Sequence, residues 1–181
     1  MDKPMQSHFE NLNSPDRNVQ YEAYNQIIAA TEKPVDWAYE VWDQLKDDLD
    51  DPDNHRRSRA AQFLAHLAIS DPEKKILNDF PAIWNVTYDK KFVTARHSLQ
   101  SIWRIALAGS EQKEMAVNHL VDRFHACEEE KNFTLIRNDI LQALRNLFNG
   151  IQEDDIKQTA LNLIETVTDA KYKKKYLAIW K

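Results

Sequence analysis

Glycine is scarce: the 181 residues contain only Gly109 and Gly150. That leaves no material for a phosphate-cradling glycine loop, a dinucleotide fingerprint or a fold built on tight hairpins. Cysteine occurs once, at Cys127. No internal disulfide and no cysteine-rich zinc site can form, which fits a reducing compartment. No uncharged apolar run reaches the roughly 18 residues a membrane span requires. The start, "MDKPMQSHFENLN", lacks the basic-then-apolar order of a signal peptide. The expectation is a soluble cytoplasmic protein with no transmembrane segment. Catalytic motifs are missing too: there is no G-x-S-x-G elbow, no Walker glycine pair, no H-E-x-x-H and no Cys–His pairing beside a glycine-rich loop. A non-enzyme without a cofactor is the corresponding expectation.

What is present is apolar content of 43%, enough for a continuous core in one domain spanning 1–181. Net charge is −5, but its distribution is uneven. The last 13 residues, "DAKYKKKYLAIWK", hold five lysines against one aspartate, leaving 19 basic and 28 acidic groups, or −9, in the other 168. An acidic body disfavours nonspecific nucleic-acid binding, which depends on neutralising many phosphates.

Periodicity is helical, and one pattern recurs. An apolar triplet at i, i+3 and i+6 appears as Tyr24-Ile27-Ala30, Ala61-Leu64-Leu67, Leu99-Ile102-Ile105 and Leu141-Leu144-Leu147, at spacings of 37, 38 and 42 residues. "SPD" at Ser14–Asp16 and "DPD" at Asp51–Asp53 precede the first two copies in the same register; the third has "YDK". Upstream of each turn runs another amphipathic segment, such as "DWAYEVWDQLKDDL", so each unit reads as a helix pair. The expected units are 1–33, 34–71, 72–109 and 110–150, with a closing pair at 151–181 and a basic last helix facing water.

The segment "VWDQLKDDLDDPDNHRRSRAAQFLAHLA" resembles a unit of the HEAT and armadillo-like repeat family: helix, Asp-Pro turn, arginine start, then an "AA..L..LA" second helix. The resemblance implies an all-α, right-handed superhelix, or α-solenoid, of about five helix pairs. One enzyme family shares that architecture, the HEAT-like DNA glycosylases, which use an aspartate with tryptophans on a concave face. Trp84 stands near Asp89 here, but Trp37, Trp42 and Trp84 fall at core-like spacing and no residue matches that family's catalytic aspartate.

Two histidine clusters invite a metal reading, and the spacing argues against both. His55 and His66 are 11 residues apart, about 16 Å along a helix. His119, Asp122, His125 and Cys127 lie around an apolar stripe of Val117, Leu120, Val121 and Phe124, as residues flanking and continuing that stripe. No metal site is expected.

The candidate binding surface is a polar stripe on the second helices, two before, one after and five after each triplet's first residue. It comprises Arg59, Gln62 and His66, then His97, Gln100 and Arg104, then Asp139 and Gln142, with Asn146 after them; Glu22 and Asn25 belong to the first copy. The same pattern also describes the solvated face of four amphipathic helices. A basic middle between Glu22 and Asp139 favours a protein partner with an acidic segment over a long duplex. The sequence therefore reads as a binding scaffold or adaptor, with a nucleic-acid-binding protein or HEAT-like glycosylase as the alternative.

Overall fold

The computed structural model describes residues 1–181 and is all-α. Its helices are α1 (Lys3–Asn11), α2 (Arg17–Ala30), α3 (Ala38–Asp48), α4 (Asn54–Leu67), α5 (Lys75–Val86) and α6 (Phe92–Ser101). They continue as α7 (Trp103–Ala106), α8 (Ser110–Ala126), α9 (Phe133–Ile151), α10 (Asp154–Glu165) and α11 (Ala170–Leu177). No helix is long and apolar enough to cross a membrane.

Short acids start several of the helices. Asp16 accepts the Asn18 N–H at 2.8 Å and Asp53 accepts the His55 N–H at 2.8 Å, each satisfying an orphan donor at the helix start. Ser14 and Asp51 tighten the turns before them by accepting the N–H two residues on. The third turn has no proline, yet Asp89 accepts the Lys91 N–H at 2.8 Å in the same way. The acid does the turn chemistry, and proline is dispensable.

α6 and α7 together form the third repeat's second helix, interrupted at Ile102. Ser101 is the cause: its hydroxyl donates to the Ser98 carbonyl at 2.7 Å, and the Ile102 N–H goes to Leu99 O at 3.3 Å instead. A side-chain donor has competed for the backbone acceptor and tightened one turn.

The helices pair as α1–α2, α3–α4, α5 with α6–α7, α8–α9 and α10–α11. Second helices pack directly on one another, α2 on α4, α4 on α6 and α6 on α9, whereas neighbouring first helices barely meet. The stack therefore bends with the second helices inside. The triplets form the seam between layers: Ile27, Ala61, Leu64, Leu67, Leu99, Ile102, Ile105, Leu141, Leu144 and Leu147 are all buried, and Tyr24 and Ala30 are half-buried. Trp42 is buried on α3 with its indole N–H donating to Asp79 at 2.9 Å, so the polar end of this core side chain is met. The buried apolar residues form one continuous cluster ending at Tyr176 and Trp180. Tyr176 donates to the Thr134 carbonyl at 2.8 Å, docking the last helix. Lys171, Lys174 and Lys175 on that helix face water, while Lys173 pairs with Glu165 at 2.8 Å.

Candidate binding surface

The first turns of α2 and α4, the second half of α6 and the turn after α1 enclose an open concavity of about 840 Å³. Its charged wall is Arg17, Arg56 and Arg59 against the single acid Asp53, with His55 and His97 beside them. In a chain of net charge −5 this is a local inversion. Asp53 also serves as the α4 cap, so part of its charge is spent on backbone N–H groups. Burial pushes the His97 pKa below its ordinary value, with Arg96 adding to the effect.

Arg59 is the distinctive member. It is half-buried, its Nη1 donates to the neutral Gln20 side chain at 3.2 Å, and it has no carboxylate partner. Burial lowers its pKa, the sign of a cation without compensation. Of the other half-buried or buried arginines, Arg56, Arg57, Arg96, Arg104, Arg123 and Arg137 lie against carboxylates of Asp51, Asp89, Asp139, Glu32, Glu130 and Glu128 respectively, and Arg145, which has none, lies over the rings of Phe148 and Trp180 away from the groove. Gln62, beside Arg59, is fixed between Tyr24, whose hydroxyl donates to it at 2.7 Å, and the Ser58 carbonyl and hydroxyl at 3.0 and 3.1 Å.

The structure divides the eight stripe residues. Arg59, Gln62, His97 and Gln100 line the concavity together. His66 is buried, with Nδ1 3.3 Å from the Thr31 hydroxyl; burial and the nearby Arg104 push its pKa down to about 4. Arg104 reaches past it to pair with Glu32, two repeats away, and stacks over Trp103 at 4.3 Å. Gln142 is exposed and donates to Asn146 at 3.0 Å. Asp139 departs from the expected acidic flank. It is 2% exposed, takes Arg96 in a two-point contact at 2.7 and 2.8 Å, and accepts from Gln100 at 3.0 Å. Its charge joins α6 to α9 and faces no groove. Glu22 stays exposed, accepting from Gln26 at 2.6 Å.

Arg17, Tyr21, His55 and Arg56 belong to the concavity and lie outside the sequence-derived stripe. Carrying the stripe back one helical turn from Arg59 reaches His55, so the spacing held that signal. Arg17 and Tyr21 had none, because their placement depends on how α2 lies against α4.

Other candidate chemistry resolves into packing. No three His, Cys, Asp or Glu side chains converge to hold a metal ion. His119 Nδ1 lies 2.8 Å from the Met115 carbonyl and its ring packs edge-on to Phe80 and Trp84, while Asp122 and His125 face water. Cys127 is buried, which raises its pKa and leaves an inert thiol. Asp89 is gripped by Arg57 at 2.6 and 3.1 Å. Burial pushes its carboxyl pKa up, and the Arg57 and Lys91 hydrogen bonds outweigh that, leaving it below the ordinary value.

No protein-family model matches the sequence, and no curated protein matches it. Two crystal structures of engineered proteins share the fold. One superposes with a TM-score of 0.57 at 14% identity, over 97% of this chain and 77% of that one. The other gives 0.52 at 13% identity, over 98% of this chain and 47% of that one. A designed armadillo repeat protein, solved in complex with the peptide (KR)4, gives 0.47 at 14% identity over 99% and 98%. At such identities likeness speaks to fold alone. The stacked helix pairs make that fold an all-α solenoid.

Proposed function

We propose that this chain is a non-catalytic, single-domain cytoplasmic scaffold or adaptor that holds an acidic segment of a partner protein in the concavity of α2, α4 and α6. The observation that carries the reading is Arg59: a half-buried guanidinium without a carboxylate, on the wall of an open groove. Desolvating that cation costs free energy that a partner carboxylate returns, because a charge-assisted hydrogen bond strengthens where water is thin. Arg17 and Arg56 extend the positive wall, Gln62 and Gln100 offer neutral polar contacts that fix register without adding charge, and His97 adds a polar ring. The groove has few apolar lining residues, which suits an extended polar segment better than an apolar helix face.

A labelled oligoglutamate peptide, titrated at two ionic strengths, tests this. Wild type should bind, and Arg17→Glu with Arg59→Glu should weaken binding at least tenfold, since attraction becomes repulsion. Mixed-sequence DNA in the same assay separates the nucleic-acid alternative. A groove with three arginines supports a log–log salt slope no steeper than about −3. A steep slope with DNA and no oligoglutamate binding would overturn the reading.

A further inference from the structure

A second cavity lies across α6 from the groove, between the α5–α6 turn, α6 and the α8–α9 turn. It measures about 90 Å³ and its charged wall is Arg96, Arg123 and Lys131 against Asp89 and Glu130. Arg96 is committed to Asp139 and Asp89 to Arg57. The remaining charges are Arg123 and Lys131, with one carboxylate, Glu130, between two cations.

Arg123 is 3% exposed, so its guanidinium sits almost wholly out of water. Its Nη2 donates to Glu130 Oε2 at 2.9 Å, while Nε and Nη1 are buried without any partner. Tyr88 covers it at 3.3 Å from the ring centroid. A guanidinium carries five N–H donors, and buried charged donors are costly to leave unmet. Glu130 holds it from a turn and is itself half-exposed, so this carboxylate can swing to solvent without disturbing a helix.

We propose that this cavity is a receptor for one phosphate group, with Arg123 as its buried cation and Lys131 at its rim, and that Glu130 stands in for that group in the unliganded chain. A carboxylate offers two oxygens and a single charge, and Glu130 meets one of the three guanidinium nitrogens. A phosphate carries close to two charges and three acceptor oxygens, enough to meet Arg123 and Lys131 together. The cavity is small, about 90 Å³, against about 840 Å³ for the groove, which suits a compact oxyacid group. Phe92, Leu99 and Ile136 make part of the wall apolar, and a low local dielectric strengthens charge pairing there. The phosphate is either free or carried on a phosphorylated side chain.

The test is a proton–nitrogen NMR titration of the full chain with sodium phosphate, against sodium chloride at matched ionic strength. Phosphate should shift the Arg123 side chain and the backbone of residues 130–132. Lys131→Glu should weaken binding at least fivefold, and Glu130→Gln should strengthen it at least threefold by removing the internal competitor. Arg123→Gln should abolish it; because that residue is buried, the two turn variants decide the matter if the third fails to fold. A second arm with phosphoserine assigns the source: tighter binding than inorganic phosphate indicates a phosphorylated side chain, equal or weaker binding indicates free phosphate. Arg17→Glu with Arg59→Glu should leave the affinity unchanged, which keeps this site distinct from the groove. Phosphate shifts no larger than those of chloride, shifts confined to the groove arginines, or affinity unchanged in both turn variants would overturn the proposal.

Discussion

Arg59 on α4 and Arg96 on α6 lie on neighbouring inner helices, and their surroundings are opposite. Arg96 meets Asp139 through two bonds, with Gln100 adding a third to the same carboxylate. Arg59 meets only the amide oxygen of Gln20 and the open groove. A charge that finds its counterion across the repeat seam holds two helices in register. A charge that finds none is held ready for something outside. The same division runs through the stripe, with Arg104 and His66 tied into the framework and His97 standing at the groove.

The comparison breaks most visibly if the two arginines matter equally to stability. Asp139→Ala should cost about 3 kcal/mol in chemical denaturation, because it strands Arg96 and Gln100 beside a buried vacancy, moderated by Arg96 being about one-third exposed. Arg59→Ala should stay within about 1 kcal/mol, since only one neutral contact is lost.

His66 sharpens the contrast through pH. Its pKa in the folded chain is about 4 against 6.5 for a free side chain, so between those values the unfolded chain binds more protons. Stability is therefore complete above pH 6.5 and is lost as pH falls toward 4, by roughly 2–3 kcal/mol. His66→Gln should flatten that segment of the stability–pH curve relative to wild type. Parallel curves would mean His66 is hydrated and its packing beside Thr31 is misassigned.

Arg104→Ala should have a smaller effect, about 1 kcal/mol or less and weaker in high salt, because Glu32 is 47% exposed. A larger loss would show that the clasp over two repeats holds the curvature of the stack.

The layer seam was legible because a helix repeats every 3.6 residues whatever it packs on, and Leu64, Ile102 and Leu144 are buried where that period puts them. The turns at Pro15 and Pro52 were legible for the same local reason, since capping acids act within two residues. The division of the polar stripe was not. Whether Asp139 faces water depends on Arg96, 43 residues earlier, and whether Arg104 is free depends on Glu32, 72 residues earlier. Those distances are set by the bend of the whole stack, and no local period encodes them. The break at Ile102 was hidden differently: Ser98 and Ser101 look like ordinary helix residues until the hydroxyl takes the carbonyl.

The most direct measurement follows the arginine Nε–H resonances by NMR while oligoglutamate is added. Arg59 should shift with saturation, accompanied by Arg17, while Arg57 and Arg96 stay still because Asp89 and Asp139 already hold them. Arg17→Glu with Arg59→Glu should abolish the response while changing stability by no more than about 1.5 kcal/mol. If Arg59 stays still while Arg96 or Lys171, Lys174 and Lys175 of the last helix move, the unpaired cation is not the binding element and the account is wrong.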